Sequence, residues 1–327
     1  MSSEGSCCSP RLSDTSAAEP HAAASGAAAA PAPTVDTSGA GAARHSIEQV
    51  DVPAGRFRMG SESRAVIPED GEGPVHEVEL DGFTIDATTV RNRDFAAFVA
   101  ATGYRTEAER HGFSAVFHLL VAAEDRDILS RAAATPWWIG VRGASWAHPG
   151  GPLSDIAGLD DHPVVHISHN DALAYCAWVG RRLPTEAEWE KAARGGLDGA
   201  EYPWGDEPVD SPHWRANIWQ GTFPAHNSIE DGWLATAPVR TFAPNSYVLY
   251  EMIGNVWEWC ADWFAPDTYT STGRRNPHGP ATGTERVLRG GSYLCHDSYC
   301  NRYRNSARSK NSPDSSMGNA GFRTVSL

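Results

Sequence analysis

No stretch of this chain approaches the roughly 20 apolar residues that a membrane-spanning helix requires. Its first residues also lack the basic region and apolar core of a secretory leader. These two absences lead to the expectation of a cytoplasmic protein, a setting in which lasting structural disulfides are uncommon. Positive charge is short as well. Lys and Arg number 27 against 41 Asp and Glu, a formal net charge of -14, so phosphate would repel the chain and neither nucleic acid nor an anionic membrane is expected as a partner. A repeat of fixed period is missing, which leaves solenoids and propellers unsupported. Long periodic helices are few. The 31 Gly, 22 Pro and 12 Trp describe turns and aromatic anchors rather than a bundle or a doubly wound sheet. What is present is apolar material at 41% of 327 residues, enough to bury a sizeable core.

Residues 1–45 are dominated by Ala, Ser, Gly and Pro, as in AAASGAAAAPAP, and read as a disordered tail. The vicinal Cys7 and Cys8 within it have no His or further Cys nearby and read as two exposed thiols. Residues 46–327 read as one α+β domain with little regular structure. IEQVDVPAGRFRMGS alternates around the Pro53 to Gly55 turn as a hairpin does, and VHEVELDGFTID repeats the strand pattern. Three short helices carry their own punctuation. One runs from Arg91 to Ala101 and stops at Gly103; a second is capped by Ser168 with Asp171 and closed by Gly180; a third is capped by Thr185 with Glu188 and ends at Gly195. Beyond Tyr202 the chain is mostly turns and short strands.

The stretch with the densest chemistry is RGGSYLCHDSYCNRYRNSAR, Arg289 to Arg308. Four residues separate Cys295 from Cys300, too many for one helix face, so their sulfurs meet only if the segment turns. Converging thiols leave an inert disulfide, a redox pair, or a soft-metal site suited to monovalent copper. Cys is often simply buried. Here Ser292, His296, Asp297, Tyr299, Asn301, Arg302 and Arg304 make polar surroundings instead, and nearby arginines would favour the thiolate. Cys176 and Cys260 sit in apolar, aromatic segments and read as core. In DDHPVVHISHND the β-branched run reads as a strand, which sends His169 to the face opposite His162 and His166 and favours structural histidines over a metal site. Two oxygen-rich stretches, ANIWQGTFPAHNSIEDGW and YEMIGNVWEW, offer Asn217, Asp231, Glu251 and Glu258 as hard-cation donors, though neither has EF-hand spacing.

Taken in order, PAGRFRMGS, HPVVHISHNDALAYCAWVGRRLPTEAEWEKAARGG, YPWGDE, GNVWEWCADW, RGGSYLCHDSYCNRYRNSAR and NAGFR resemble the formylglycine-generating enzymes, or sulfatase-modifying factors, along almost all of the folded region. The resemblance implies a compact, C-type-lectin-related α+β fold. It also implies an oxidase that converts the cysteine of a CxPxR motif in an unfolded sulfatase into Cα-formylglycine, using molecular oxygen and a thiol reductant. In that family the residues matching Cys295 and Cys300 bind copper(I) and receive the substrate thiol, with Cys295 the more exposed. Ser292 matches the active-site serine, while Trp257, Tyr299 and Asn319 match pocket positions. Asn217, Asp231 and the carbonyls of Ile218 and Trp233 match one calcium site; Glu251, Glu258 and the carbonyls of Gly254 and Val256 match a second.

The chain also departs from its relatives. Thr324 stands where Cys176 would find a disulfide mate, and Ala193 and Asn305 occupy the positions of a second bridge. Cys8-Ser9-Pro10 begins like a substrate motif, but the arginine would fall at Leu12, so self-modification is not expected. Two other readings are a lectin-like binding module without chemistry and an iron-dependent sulfoxide synthase. Retention of Cys295, Cys300 and Ser292 argues against the first; the second needs an added helical metal domain.

Overall fold

Capping chemistry decides where the helices of the computed structural model lie; the residues it describes are 10–15 and 45–327. In helix His169–Val179 the Ser168 hydroxyl accepts from Asp171 N while Asp171 accepts from Ser168 N, and Gly180 closes the helix at φ 69°. Helix Glu186–Arg194 has the same reciprocal box from Thr185 and Glu188 and ends on Gly195 at φ 57°. Helix Asn92–Thr102 stops at Gly103, also left-handed. A left-handed terminal residue leaves carbonyls to be satisfied by the following N–H, and glycine adopts it without a Cβ clash.

Short strands join distant parts of the chain. One sheet runs in the order Gln49–Val52, Phe83–Asp86, Val325–Ser326 and Arg181–Arg182, which ties the last residues between two early elements. A second has the order Arg308–Asn311, Arg286–Arg289, Trp257–Trp263 and Ala320–Gly321, and carries the loop with the paired cysteines. A third pairs Phe113–Phe117 and Ile128–Arg131 with Trp138–Arg142. Between them lies an aromatic core that includes Phe95, Trp138, Tyr175, Trp219, Trp257, Trp259 and Phe322, and both Cys295 and Cys300 belong to it. Each such ring buries on the order of 150–250 Å², a few kcal/mol at the usual area coefficient.

The α+β reading holds, with three local corrections. Gln49–Val52 and Gly55–Met59 do not form a hairpin; they enter different sheets, pairing with Phe83–Asp86 and His76–Leu80. Pro53 removes a donor at the turn, and the chain crosses from one sheet to the other there. The histidine segment is not a strand. His166 is left-handed at φ 59°, and only a bridge between Arg91 and Pro163 remains. The disordered-tail reading fails for residues 10–15, where Leu12–Thr15 is a helical turn and Pro10 and Thr15 are buried. The rest of that reading, and that of Cys7 and Cys8 as exposed thiols, lies outside the described residues.

Candidate active site

The loop begins where strand Arg286–Arg289 ends on two left-handed glycines, Gly290 at φ 92° and Gly291 at φ 74°. A Cβ on Gly290 would meet Met252 O at 2.8 Å and the Trp189 ring at 3.1 Å. One on Gly291 would meet Arg302 O at 2.9 Å and Cys295 Sγ at 3.1 Å. Only glycine lets the backbone pass this closely beneath the thiol. Ser292 follows, fully buried, accepting from Asn319 Nδ2 at 3.0 Å and Leu294 N at 3.3 Å, while its own N–H points to Cys295 Sγ at 3.4 Å.

A turn then reverses the chain, as the five-residue spacing demands. Cys300 N and Tyr299 N both donate to His296 O, at 2.7 and 2.9 Å, and this brings the Cys295 and Cys300 sulfurs to 3.4 Å. The Arg302 guanidinium lies 3.6 Å from Cys300 Sγ. Cys176 and Cys260 are free thiols; Cys300 is disulfide-bonded. Greater exposure of Cys295 is not observed: it is 0% exposed and Cys300 1%. Tyr299 walls the pair on one side, stacked on Phe223 with centroids 4.2 Å apart and edge-on to Trp137 at 4.9 Å. Trp257 is buried against the same core and pairs in parallel with Ala320, next to Asn319.

The arginines expected to act on the thiols mostly do something else. Arg289, wholly buried, donates to Glu190 at 2.5 Å and Glu186 at 2.9 Å; Arg308 also takes Glu186, and Arg304 takes Glu72 at 2.7 Å. Burial opposes the charge on Arg289, yet Tyr269, Glu190 and Glu186 outweigh it and leave its affinity for the proton raised. These pairs fix the loop from beneath, and of the four only Arg302 has a contact with a cysteine sulfur among the described residues. Sequence spacing gave no sign of this network because its carboxylates come from residues 72, 186 and 190.

Both oxygen-rich stretches buttress the same loop. Gly254 N donates to Gly290 O, Tyr293 N to Asn255 O, and Asn255 N to Asn217 O. Asn217 is buried with its Oδ1 unsatisfied. Asp231 accepts from Ile218 N and Trp233 N, and burial raises its pKa. Glu251 accepts backbone N–H groups from Arg240 and Phe242, and burial pushes it up to about 7. Glu258 differs. Arg323 and Trp189 occupy both of its oxygens, although Gly254 and Val256 lie close by in the same turn. The first stretch keeps a free oxygen for a hard cation; the second offers Glu251.

The three histidines do not converge. His162 bonds Thr236, His166 bonds Ser114 and Pro149 O, and His169 opens a helix. Among the described residues no group of three or more His, Cys, Asp or Glu side chains could hold a metal ion.

Comparison with known proteins agrees with this arrangement. Residues 37–326 match the Sulfatase-modifying factor enzyme 1-like domain. The chain belongs to this family. It is 59% identical over 297 residues to the formylglycine-generating enzyme of Streptomyces coelicolor, covering 91% of this chain and 95% of that one. It is also 45% identical over 286 residues to the inactive C-alpha-formylglycine-generating enzyme 2 of Bos taurus, covering 86% and 88%. Family membership therefore fixes the scaffold more firmly than the chemistry. PvdO from Pseudomonas aeruginosa shares the fold, with a TM-score of 0.61 at 23% identity, covering 85% of this chain and 94% of that one. No helix among the described residues is long and apolar enough to cross a membrane.

Proposed function

We propose that the chain is a copper-dependent oxidase that converts the cysteine of a CxPxR motif in an unfolded sulfatase to Cα-formylglycine, activating it. The observation that carries this reading is the approach of the Cys295 and Cys300 sulfurs to 3.4 Å on a buried, tightly braced loop. Two soft thiolates so placed suit one monovalent copper ion once Cys300 is reduced, and copper supplies the electron-rich centre at which oxygen can be reduced. The chain's own residues do the rest. Ser292 and Asn319 form a hydrogen-bonded pair beside Cys295 that can orient a bound group, and Trp257 and Tyr299 help keep water out. Arg302 places positive charge against the Cys300 sulfur, which favours the thiolate needed for binding or exchange.

The overall reaction balances with a thiol as reductant. The substrate CH2–SH, one O2 and two R–SH give an aldehyde, H2S, R–S–S–R and water. Calcium is proposed at Asn217, Asp231 and the Ile218 and Trp233 carbonyls, where an unsatisfied buried oxygen supports it. It is also proposed at Glu251, Glu258 and the Gly254 and Val256 carbonyls, where the buried Glu251 supports it and the Arg323 contact with Glu258 limits the donors. A cytoplasmic location is part of the same reading.

The test is mass spectrometry of a CxPxR peptide incubated with protein, copper(I), oxygen and a thiol. Loss of about 18 Da, abolished in Cys295→Ser and Cys300→Ser, is expected. No conversion by folded, copper-loaded protein would refute the oxidase and leave a binding module, the alternative that the inactive relative keeps open.

A further inference from the structure

The apolar strand Phe113–Phe117 faces a segment, residues 149–165, that proline and glycine keep free of regular structure, and between them lies a pocket of about 190 Å³. Half-buried residues, Leu120, Ser154, Ile156 and Leu159 among them, form its mouth. Its depth is made by Val116, Phe117, Val165 and Tyr293, all buried. The pocket thus runs inward from the surface, on the side of the core where the first part of the active loop is packed.

Its wall has little to offer a polar molecule. None of the described residues lining it is charged, and the polar groups there are committed to the protein. Asn92 Nδ2 donates to Leu159 O at 2.8 Å, Ser154 Oγ to Gly151 O at 2.7 Å, and Tyr293 OH to Gly318 O at 2.9 Å, while Thr236 Oγ1 bonds His162 at 3.0 Å. Asn92 Oδ1 and Trp146 Nε1 have no hydrogen-bond partner but are covered by neighbouring atoms rather than laid open. An ordered water takes about three hydrogen bonds, so a wall of this kind favours an apolar occupant.

The inner end of the pocket is the back of the active loop. Tyr293 and Gly318, both in the wall, adjoin Ser292 and Asn319 in the sequence, the pair bonded at 3.0 Å beside Cys295. Phe117 packs edge-on against Trp219 with centroids 5.5 Å apart, and Trp219 N donates to Cys295 O at 3.0 Å. The pocket therefore ends on residues in direct contact with the loop that carries the thiols.

We propose that this pocket is a dioxygen site, an apolar antechamber that gathers O2 from solvent and passes it to the thiol pair past Phe117, Trp219 and Tyr293. The assignment deepens the oxidase reading above and rests on it, since that reaction consumes O2.

Size and polarity select the gas among the reactants. A dry apolar cavity of about 150 Å³ takes up benzene or xenon, so a pocket of this volume and lining has room for an uncharged diatomic molecule. The CxPxR peptide and a thiol reductant both carry polar or charged groups, which would be buried here without partners. A separate entry for O2 also lets the gas reach the thiols while a peptide is bound.

Nuclear magnetic resonance of the full chain with labelled methyl groups, under oxygen and under nitrogen at equal pressure, tests this with the gas itself, because O2 is paramagnetic and speeds the relaxation of nuclei beside it. The methyls of Val116, 1% exposed, should relax faster under oxygen than those of Val78 and Val287, which are 0% exposed and lie outside the pocket; equal enhancement at all three overturns the site. Ile156→Trp, at the mouth, should remove the difference, and Leu120→Phe closes the same rim should the first variant fail to fold. Closing the mouth should also lower kcat/KM for oxygen several-fold while kcat at saturating oxygen and KM for the peptide keep their wild-type values. An unchanged kcat/KM for oxygen in a folded, closed variant overturns delivery through the pocket. If the wild-type protein converts no peptide, the oxidase reading fails and delivery falls with it, while the relaxation of Val116 still decides whether the pocket takes up the gas.

Discussion

Replacing Arg289 by Ala tests whether the buried ion network holds the active loop. Arg289 is 0% exposed and makes contacts to Glu190 (2.5 Å), Glu186 (2.9 Å), Asn305 O (2.7 Å), Tyr269 OH (3.2 Å) and Ser306 O (3.3 Å). Glu190 keeps Arg194 and Glu186 keeps Arg308, so the carboxylates are not abandoned, but one cation is lost from a cluster of three arginines and two glutamates. Two backbone carbonyls lose a donor as well. Breaking a buried pair from one side costs about 3–5 kcal/mol, a large share of a typical total of about 5–15 kcal/mol. Arg289→Lys should cost less, about 2 kcal/mol, since one ammonium keeps the charge but cannot bridge both carboxylates and both carbonyls. Arg56→Ala is the control. Its partners Glu77 and Glu79 are solvent-facing and Arg56 itself is 66% exposed, so the change should stay within about 0.5 kcal/mol. Urea unfolding followed by the fluorescence of the 12 tryptophans reads all three. A loss below about 1 kcal/mol for Arg289→Ala would refute the claim that this network braces the Gly290 to Cys295 loop.

Two further outcomes follow from buried groups. Burial lowers the pKa of His166 from 6.5 to about 4, so between those values the unfolded chain binds a proton that the folded chain refuses; stability falls as pH drops through that window, by about 3 kcal/mol. Urea midpoints at pH 7 and 4.5 should show this slope, and His166→Asn, which tolerates the left-handed backbone, should show less of it; an unchanged slope counts against the assignment. Added calcium should raise the melting temperature of wild-type protein, by the equivalent of about 2.7 kcal/mol at a hundredfold excess over Kd. Asn217→Ala should respond less, and an equal shift in both would remove Asn217 from the ligand set.

The features legible in the sequence were those written in local chemistry. Ser168, Thr185 and their acidic partners mark helix starts because both halves of each box lie within four residues. The Cys295 to Cys300 turn was legible because only a reversal can join thiols at that spacing. What escaped depended on partners far away in the chain. Gln49–Val52 alternates like one arm of a hairpin, yet its mate is 34 residues or so on, beyond an inserted strand pair. His166 sits in a run of good strand formers, but its N–H is taken by Met317 O and its backbone turns left-handed; tertiary pairing outweighed propensity. The composition of residues 10–15 gave no hint of burial, because their partners Ser130, Glu285, Asn311 and Ser315 come from three separate regions.

The same distinction explains how a loop with almost no regular structure can hold reactive sulfurs in place. Between Arg289 and Arg308, among the described residues, the backbone holds Cys295 and Cys300 by the His296 bridge and by single bonds such as Trp219 N to Cys295 O, so side chains must supply much of the constraint. They do so at both ends. Arg289 and Arg308 are opposite one another across two strands and converge on Glu186, at the start of a capped helix, while Arg302 and Arg304 reach Asp70 and Glu72 on the far side. Backbone N–H groups from Gly254 and to Asn255 fasten the first half from the oxygen-rich turn. An enclosed charge that loses its partner is costly, so each pair resists displacement of the loop more strongly than an exposed pair would. The loop can therefore be polar and glycine-rich and still present two sulfurs at a fixed separation. A scaffold relative that lost the thiols could keep every one of these braces, and for that reason the cysteines carry the case for catalysis while the arginines carry the case for order.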